Sequence, residues 1–425
     1  MIKVIIGKSN TREEIFSVGL EKVDVSDRVS AILADVRARG DEALLELTER
    51  FDGARLNDLR VSKQEIDEAF LVVEDEFVRV LQGAASNIRA FHELQKREGF
   101  ELKKEGGVIV GQKVTAIERV GLYVPGGTAA YPSTVLMDAI PAKIAGCQKV
   151  VMVTPPMRDG KVNPAILAAA RVAGVDEIYK VGGAQAIGAL AFGTKSVPKV
   201  DKIVGPGNAY VAEAKRQVFG TVSIDMIAGP SEIMIVADGK SNAKELAADL
   251  LSQAEHDKNA SAVLVCDSMA LAEAVSAELE RQIPLLDRAE IARASIDKNG
   301  KIFVVDNLDE AIEVANDVAP EHLELCVDQP FEWLKKVRHA GSVFLGRNCP
   351  EALGDYYAGT NHTLPTSGTA RFSSALSVDD FIKKTQYIYY DENALNAVAR
   401  DVEYFAKKEG LTAHAKSAVV RLKDE

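Results

Sequence analysis

The sequence predicts an α/β protein that is built on parallel, doubly wound sheets. From Gly121 to Asp225 short strands alternate regularly with helices, and this alternation is typical of parallel sheets with right-handed crossovers. A second alternating block runs from Ser231 to Gly346, which indicates a duplicated αβ unit. The chain has 425 residues, enough for two or more domains with complete hydrophobic cores.

Composition and charge disfavour several classes of protein. Hydrophobic residues make up 47% of the chain and charged residues 27%, as in soluble globular proteins. The net charge of −12 argues against nonspecific binding to nucleic acid or to an anionic membrane surface. The N-terminus has no signal-peptide core, and no stretch is apolar for long enough to span a bilayer. The four cysteines form no Cys-x-x-Cys motif, which predicts free thiols in a reducing cytoplasm.

The segment before the first alternating block is predicted to be mainly helical. Met1–Leu20 is expected to form a short strand and a short helix as an N-terminal arm. Val25–Gly53 and Ser62–Lys96 have helical periodicity, and the second begins with the Ser-x-x-Glu spacing of a capping box. Phe100–Val120 changes to short strands with glycine breaks.

Four glycine-rich loops accompany the strands of the first block: GLYVPGG, KVGGAQA, VGPGNAY and AGPSE. Ligands of doubly wound sheets bind beyond the carboxyl ends of the strands, where glycine lets the backbone come close to a ligand. No G-x-G-x-x-G follows a strand and no Walker A motif is present, so the usual dinucleotide fingerprint is missing and an ATPase is disfavoured. VGPGNAYV is compatible with either a tight turn or a phosphate contact.

The second block is followed by a long irregular segment, Arg347–Ser374. A loop of this length in a compact protein is usually functional. The tail, Val378–Glu425, is predicted to be mostly helical and charged.

One helix of the second block carries a polar stripe. It opens near Ser241 and Asn242, both good N-cap residues, and Asp249, Gln253 and His256 follow at i, i+4 and i+7. Gln253 and His256, on the last turn, could reach one point in a cleft, although a solvated polar face is the simpler interpretation. A zinc ion needs about four ligands, so the others must come from elsewhere.

Other candidate residues lie in three further motifs. Glu321 and His322 could act as general base and acid, but neighbouring residues in a strand point to opposite faces. Both can face one site only if the chain is still a loop there, which Pro320 favours; the alternative is a solvated strand start. The long segment offers Asp355, Asn361 and His362 as ligands or hydrogen-bond partners, or it is a surface Ω-loop. Glu409 and His414 lie in KKEGLTAHAKS, where an exposed tail is the default.

Read together, these motifs resemble the histidinol dehydrogenase family. The matching segments occur in the family's order: GLYVPGG with AYPSTVLM, GGAQAIGALAFGT, VGPGNAYV, DMIAGPSE, LLSQAEHD, APEHLEL, GDYYAGTNHTLPTSGTARF and EGLTAHAKS. The resemblance covers nearly the whole chain, from Val25 to Ala418. The set is highly specific, although no single motif is.

The resemblance implies two incomplete Rossmann-like, doubly wound domains with parallel sheets, a small N-terminal arm and a small helical C-terminal domain. The arm is expected at residues 1–20 and the first Rossmann-like domain at 21–120 together with 232–376. The second Rossmann-like domain is expected at 121–231. A C-terminal helical tail at 377–425 is expected to contact the partner subunit.

The resemblance also implies a function. The family oxidises L-histidinol to L-histidine through L-histidinaldehyde with two NAD, as the last step of histidine biosynthesis, in a zinc-dependent cytoplasmic homodimer with shared active sites. One Zn²⁺ per subunit is expected, and the matching ligands are Gln253, His256, Asp355 and His414. The matching catalytic residues are Glu321 and His322. The matching NAD contacts are Tyr123, Gln185 and Asn208. The matching substrate contacts are Ser231, Gln253, His256, His322, Asp355, Glu409 and His414.

The residue types agree with this chemistry. His322 is expected to take the hydroxyl proton as hydride leaves, and Glu321 to activate the water that hydrates the aldehyde. A covalent thiohemiacetal on Cys147 is a rival mechanism, but Cys147 is expected to be a small core residue. Two other functions are alternatives: oxidation of another small polar alcohol such as a sulfonated diol by a relative with the same scaffold, and non-catalytic binding of nucleotide or metal. Glu409 and His414 favour histidinol, and the presence of both Glu321 and His322 disfavours a non-catalytic protein.

Overall fold

The computed structural model describes residues 2–7, 12–16, 24–126 and 130–422. The chain divides into two compact units. The larger unit comprises the described parts of Met1–Gln95 and Ile117–Phe381, and the smaller unit those of Lys96–Ala116 and Ile382–Glu425. The predicted boundaries of the N-terminal arm, the two Rossmann-like domains and the C-terminal tail remain a prediction.

The strands are, in chain order, β1 (Lys3–Ile6), β2 (Phe100–Lys104), β3 (Val108–Ala116), β4 (Arg119–Tyr123), β5 (Lys149–Thr154), β6 (Glu177–Lys180), β7 (Lys202–Val204), β8 (Ser223–Ile224), β9 (Glu232–Ala237), β10 (Ser261–Cys266), β11 (Lys301–Val304), β12 (His322–Cys326), β13 (Ser342–Leu345) and β14 (Ile382–Tyr390).

The helices are α1 (Arg12–Ile15), α2 (Ser26–Arg39), α3 (Asp41–Asp52), α4 (Lys63–Val72), α5 (Asp75–Glu93), α6 (Pro132–Ala145), α7 (Pro164–Ala173), α8 (Gly183–Phe192), α9 (Ala209–Val218), α10 (Ala243–Ala254), α11 (Met269–Gln282), α12 (Ala289–Asn299), α13 (Leu308–Val318), α14 (Pro330–Leu334), α15 (Glu351–Leu353), α16 (Glu392–Lys408) and α17 (Thr412–Val419).

The larger unit contains two parallel sheets, as the alternating pattern predicts. One has the strand order β1-β11-β10-β9-β12-β13 and the other β6-β5-β4-β7-β8, and every strand pair in them is parallel. In the six-stranded sheet, later strands lie on both sides of β9, and in the five-stranded sheet they lie on both sides of β4. The strand order therefore reverses at the first strand of each alternating block. The predicted α/β class with doubly wound parallel sheets is therefore confirmed.

Helices cover both faces of each sheet. In the six-stranded sheet, β9 directs Ile233 and Ile235 to a core shared with α10 and α11, and Met234 and Val236 to a core shared with α13. This division follows from the two-residue period of a strand. Strands buried on both faces read as continuous apolar runs, which is why EIMIVA and SAVLVC show no alternation.

Local signals fix several helix starts. Ser62 accepts a hydrogen bond from the N–H of Glu65, and Glu65 accepts one from the N–H of Ser62, so the predicted capping box is confirmed. Asn242 caps α10 by accepting from the N–H of Lys244 at 3.0 Å. Within the described residues, no helix combines the length and the hydropathy needed to cross a bilayer.

The smaller unit contains an antiparallel sheet in the order β14-β3-β2, followed by α16 and α17. The helices agree with the predicted helical tail, but the nine-residue strand β14 was not predicted. It pairs with the whole of β3, from Ile382 opposite Ala116 to Tyr390 opposite Val108.

Candidate active site

A corner at the end of α13 brings Glu321 and His322 to one site. Ala319 ends the helix in the left-handed conformation, with φ +51°, and β12 begins only at His322. Glu321 therefore still lies in the loop after Pro320, as the sequence required for a joint role. Glu321 Oε2 lies 3.8 Å from His322 Nδ1.

The surroundings of His322 determine which ring nitrogen can act as a base. The side chain is 5% exposed, and Nδ1 lies 3.0 Å from the carbonyl oxygen of Glu232. A carbonyl oxygen only accepts, so Nδ1 donates and the neutral ring carries its lone pair on Nε2. Nε2 is buried and has no hydrogen-bond partner, with Asp355 Oδ1 3.7 Å away.

Acidic side chains surround the His322 ring. Glu351 Oε1 lies 3.6 Å from Nδ1, and the Glu351 side chain is buried. Burial lowers the pKa of His322, but the carboxylates of Glu351, Glu321 and Asp355 outweigh it and raise that pKa well above its ordinary value. Burial also raises the pKa of Glu351 to about 7, although His322 opposes the shift.

Glu321 is buried and anchored to the neighbouring strand. Its Oε2 accepts a hydrogen bond from the N–H of Glu232 at 2.8 Å, and burial raises the pKa of Glu321 to about 8. The Glu232 carboxylate forms an ion pair with Arg12, which also donates to the carbonyl of Val318 at the end of α13. Arg12 thus joins the start of β9 to the corner that carries Glu321.

Gln253 and His256 approach this site from the end of α10. The helix ends at Ala254, so Gln253 lies in its last turn and His256 just beyond it. Gln253 is 1% exposed, and its Oε1 is buried without a hydrogen-bond partner. Burial lowers the pKa of His256, while Asp355 opposes the shift, so the neutral imidazole that a metal requires is favoured.

These donors fit a divalent cation. An unpartnered amide oxygen, a neutral imidazole and a carboxylate are ligand types that zinc accepts, and the C-terminal end of α10 carries the negative end of its helix dipole. A second group overlaps with this set: the ligand atoms of His322, Glu351 and Asp355 lie within 4.8 Å of one another. Asp355 belongs to both groups.

The long segment after β13 supplies Asp355 from a short helical element. Asp355 lies in a π-helical turn, Gly354–Ala358, that continues α15. The carbonyl of Asp355 lies 3.1 Å from His362 Nδ1, and His362 Nε2 lies 3.3 Å from Thr134 Oγ1. His362 therefore supports the Asp355 backbone from α6.

The predicted cofactor residues lie around the carboxyl ends of the five-stranded sheet. Tyr123 ends β4, and its hydroxyl accepts from the N–H of Gly183 at 3.1 Å. Gln185 is buried in α8, the helix that Gly183 begins. Asn208 caps α9 by accepting from the N–H groups of Tyr210 and Val211 at 3.0 and 3.2 Å. Because β4 and β7 flank the reversal of strand order, this is where a doubly wound sheet binds a ligand.

A buried ion pair fixes the loop that leads to Asn208. Lys215 pairs with Asp225. Lys215 Nζ donates to the carbonyl of Gly205 at 3.0 Å, and Asp225 Oδ2 accepts from the N–H of Gly205 at 2.8 Å. Both polar backbone groups of Gly205 are therefore held by one ion pair.

Comparisons with known proteins show the family of the chain. A sequence model of histidinol dehydrogenase matches residues 18–422. The chain belongs to the histidinol dehydrogenase family.

Relatives of similar length carry the same name. The chain is 56% identical over 402 residues to a histidinol dehydrogenase of Bacillus cereus, covering 94% of this chain and 93% of that protein. It is 53% identical over 405 residues to a histidinol dehydrogenase of Clostridium acetobutylicum, covering 95% and 94%. The crystal structure of histidinol dehydrogenase from Elizabethkingia anophelis has a TM-score of 0.94 at 40% identity, covering 99% of this chain and 98% of that one. As a member of this family, the chain is an oxidoreductase.

Not every family-matched residue lies in the buried cluster. Ser231 is half-buried just before β9, next to Glu232. Glu409 and His414 belong to the smaller unit, where both are exposed at the end of α16 and in α17. Cys147 is buried, and burial raises the pKa of its thiol to about 11. Because the thiolate is the nucleophile, this disfavours the covalent mechanism.

The His322 cluster lies at the amino ends of strands. His322 and Glu232 are the first residues of β12 and β9, and α10 ends on the side from which β10 starts. The predicted cofactor residues thus lie at the carboxyl ends of strands, where ligands of doubly wound sheets bind. The His322 cluster does not, because its residues come from loops that run from a helix to the next strand.

Three residues of the cluster were not among the sequence candidates. Glu232 is a charged residue at the start of the apolar run EIMIVA, and this is a signal that could have been noticed, since buried acids are rare unless paired. Glu351 lies in the long irregular segment without a distinguishing pattern. Arg12 lies in the N-terminal arm, more than two hundred positions from the Glu232 that it contacts, so the sequence gives no sign of its partner.

Proposed function

We propose that the chain oxidises L-histidinol to L-histidine through L-histidinaldehyde in two NAD-dependent steps, the last reaction of histidine biosynthesis. The observation that carries the proposal is the buried His322, whose Nδ1 is held by a backbone carbonyl while Nε2 has no hydrogen-bond partner. Such a ring can accept a proton at one defined atom. The names of the relatives supply the substrate.

His322 Nε2 takes the hydroxyl proton of L-histidinol as the first hydride leaves. The bond from Nδ1 to Glu232 fixes the ring plane and the tautomer. The surrounding carboxylates raise the pKa of His322 and so stabilise the imidazolium that forms. A cation held by Asp355 would oppose this shift and favour the neutral ring, whose Nε2 accepts the proton.

Glu321 acts in the second half of the reaction. The aldehyde must be hydrated before a second hydride can leave, and the Glu321 carboxylate accepts the proton of the attacking water. Its pKa of about 8 lies close to neutral pH, which is where a general base works best. After its first proton has been released to solvent, His322 accepts the hydroxyl proton of the hydrate as the second hydride leaves to NAD.

We propose one zinc ion per subunit, held by Gln253, His256, Asp355 and His414 of the partner subunit. When bound, zinc orients the imidazole and amine of the substrate, and such positioning can contribute up to about 7–11 kcal/mol. The support for it is the unpartnered Oε1 of the buried Gln253. His256, Gln253 and Asp355 also belong to the predicted substrate contacts, with Ser231, His322, Glu409 and His414.

We propose that NAD, which accepts the hydride in each step, is bound by Tyr123, Gln185 and Asn208. The Tyr123 hydroxyl orders the glycine turn before Gln185. Asn208 uses its carbonyl oxygen as a helix cap, so its amide nitrogen is the group that can donate to a ligand. Retaining the aldehyde between the steps protects it from side reactions.

We further propose a cytoplasmic homodimer in which Glu409 and His414 complete the partner's site. Both are exposed on the smaller unit, as residues that serve another subunit must be. A mixture of His414→Ala and Glu321→Gln subunits tests this. After random re-assortment about half of the dimers are mixed, and in each mixed dimer one of the two sites has both wild-type residues. About a quarter of the wild-type activity should therefore return. Mixed dimers without activity would contradict shared sites.

The reaction is tested by adding L-histidinol and NAD to zinc-loaded protein and following NADH. The expected result is two molecules of NADH per L-histidinol, abolished by a chelator and restored by zinc. His322→Asn, which keeps one ring-nitrogen position as a donor but removes the base, should be folded and inactive. No NADH from folded, zinc-bound wild-type protein would refute the proposed substrate.

A further inference from the structure

Beside the His322 cluster lies a second acidic pair that the proposed mechanism does not use. Asp249, Glu324 and Cys326 have side-chain ligand atoms within 4.8 Å of one another. Glu324 lies two residues after His322 in β12, so both side chains leave the same face of the sheet. Asp249 lies on α10, one helical turn before Gln253.

Glu324 holds the start of α15. Its Oε1 accepts a hydrogen bond from the backbone N–H of Glu351 at 2.7 Å. Glu351 is the first residue of α15, where an N–H has no partner within the helix. Asp355 follows four residues later in the turn that continues α15. The bond therefore fixes the element that carries Asp355.

Asp249 holds Glu324 from the opposite side. A side-chain oxygen of Asp249 lies within 4.8 Å of a side-chain oxygen of Glu324, so the two carboxyl groups are close neighbours. Burial raises the pKa of Asp249 to about 6 and that of Glu324 well above its ordinary range. Glu324 itself is 1% exposed.

Ser252 adds a second link between the same helices. Its Oγ donates to the carbonyl of Asp249 at 2.8 Å and lies 3.4 Å from Oε2 of Glu351. The side chain of Glu351 in turn lies beside His322. A continuous chain of contacts thus joins α10, β12 and α15, the three elements that carry Gln253, His322 and Asp355.

We infer that Asp249 and Glu324 are positioning residues that hold α10 and α15 together, Asp249 from α10 and Glu324 through its bond to the Glu351 N–H, and thereby set the spacing of the predicted zinc ligands on α10 and on the turn that continues α15. The inference deepens the proposed function, because zinc is the ligand whose binding it controls. The pair acts as a brace between helices and does not touch the reacting atoms. Residues that orient metal ligands in this way typically change metal affinity when they are replaced.

The test compares two substitutions of one residue. Glu324→Gln keeps an oxygen that accepts from the Glu351 N–H and supplies an amide that donates to Asp249. Glu324→Met has a similar length but offers neither. We expect Glu324→Gln to bind zinc within about threefold of wild type, and Glu324→Met to bind it about tenfold to a hundredfold more weakly. Zinc affinity is measured by competition with a chromophoric chelator, with the exposed Glu273→Met on α11 as the control.

A second measurement is independent of zinc. Amide hydrogen exchange in residues 351–358 should be faster in zinc-free Glu324→Met than in wild type, and unchanged in Glu324→Gln. With zinc saturating, the KM for L-histidinol should rise in Glu324→Met while the affinity for NAD stays constant. A purely structural defect would instead change exchange throughout the unit and both affinities together.

The outcomes separate the inference from the proposed function. Folded Glu324→Met with wild-type zinc affinity and wild-type exchange at 351–358 would overturn the inference. If Glu324→Met does not fold, Asp249→Ala on the half-exposed face of α10 removes the same brace, and wild-type zinc affinity and exchange in that variant would overturn it equally. Wild-type protein that binds no zinc would refute the proposed metal, but the exchange measurement would still test the brace.

Discussion

Replacing Lys215 by Met removes one partner of a buried ion pair and leaves the other behind. The side chains of Lys215 and Asp225 are 3% and 1% exposed, so the remaining carboxylate cannot be solvated. Breaking such a pair on one side costs about 3–5 kcal/mol. The same change removes the donor to the carbonyl of Gly205, which precedes Asn208. We therefore expect both a lower free energy of unfolding and weaker NAD binding.

Urea unfolding of four proteins measures this effect: wild type, Lys215→Met, Asp225→Asn and the double variant. Each single change leaves one buried group without its partner, whereas the double change leaves none charged. The double variant should therefore lose less stability than the sum of the single variants, by about 0.5–3 kcal/mol. Direct titration with NAD should show weaker binding in Lys215→Met while zinc affinity stays constant.

Asp138→Asn is the matched control for these variants. Burial raises the pKa of Asp138 well above its ordinary range, and the nearby Asp225 adds to the shift. Oδ1 of Asp138 accepts from Thr363 Oγ1 at 3.0 Å, which asparagine can also do. We expect a small change in the free energy of unfolding. Additive single-variant effects, or a Lys215→Met protein within about 1 kcal/mol of wild type, would refute the reasoning.

Three further predictions concern the site and its supporting loop. Glu321→Gln should slow the oxidation of L-histidinaldehyde more than that of L-histidinol in single-turnover NADH measurements, because only the second step needs water activation; equal losses would contradict the assignment. In wild type, the aldehyde step should accelerate with rising pH and level off above about 8, where the Glu321 carboxylate is ionised, and the variant should lack this dependence. Gln253→Leu should weaken zinc binding in a chelator titration, because it removes the unpartnered amide oxygen. Gln253→Glu keeps an oxygen and should still bind zinc. A Gln253→Leu protein that binds zinc as tightly as wild type would exclude Gln253 as a ligand. Gly205→Ala should cost about 2 kcal/mol or more of unfolding free energy, since its Cβ would lie 2.2 Å from the carbonyl oxygen of Tyr123 at φ +114°. Gly220→Ala is the control for backbone strain alone, because Gly220 has φ +97° and no atom within 4 Å of an added Cβ. If both substitutions lower the free energy of unfolding in urea equally, the contact with Tyr123 contributes nothing.

Local signals in the sequence predicted most of the larger unit. The alternation of strands and helices identified both parallel sheets, because each crossover is completed within a few tens of residues. The loop before His322 also had a local signal, because Pro320 favours a loop in which Glu321 and His322 can face one site, although a solvated strand start was the alternative. The stripe that carries Gln253 on α10 followed from helical periodicity alone.

Contacts between distant segments could not be predicted in this way. β14 consists of β-branched residues, tyrosines, lysines and one glutamine, almost all of them exposed, so it lacks the alternating burial that marks a strand. It is a strand because β3, more than two hundred and fifty positions earlier, offers an edge. Glu351 and Arg12 could not be predicted for the same reason, because each contacts a residue of the cluster that is distant in the sequence.

The acidic surroundings of His322 have a consequence for the fate of the product. Glu321, Glu351 and Asp355 place three carboxyl groups around one ring. Under the proposed reaction the incoming amino alcohol carries no carboxylate, whereas the outgoing amino acid carries one that is created beside these groups. The charge of the ligand thus falls by one unit while that of its surroundings stays the same, and the mutual repulsion favours release. The same electrostatics that draw in a cationic substrate oppose inhibition by the product.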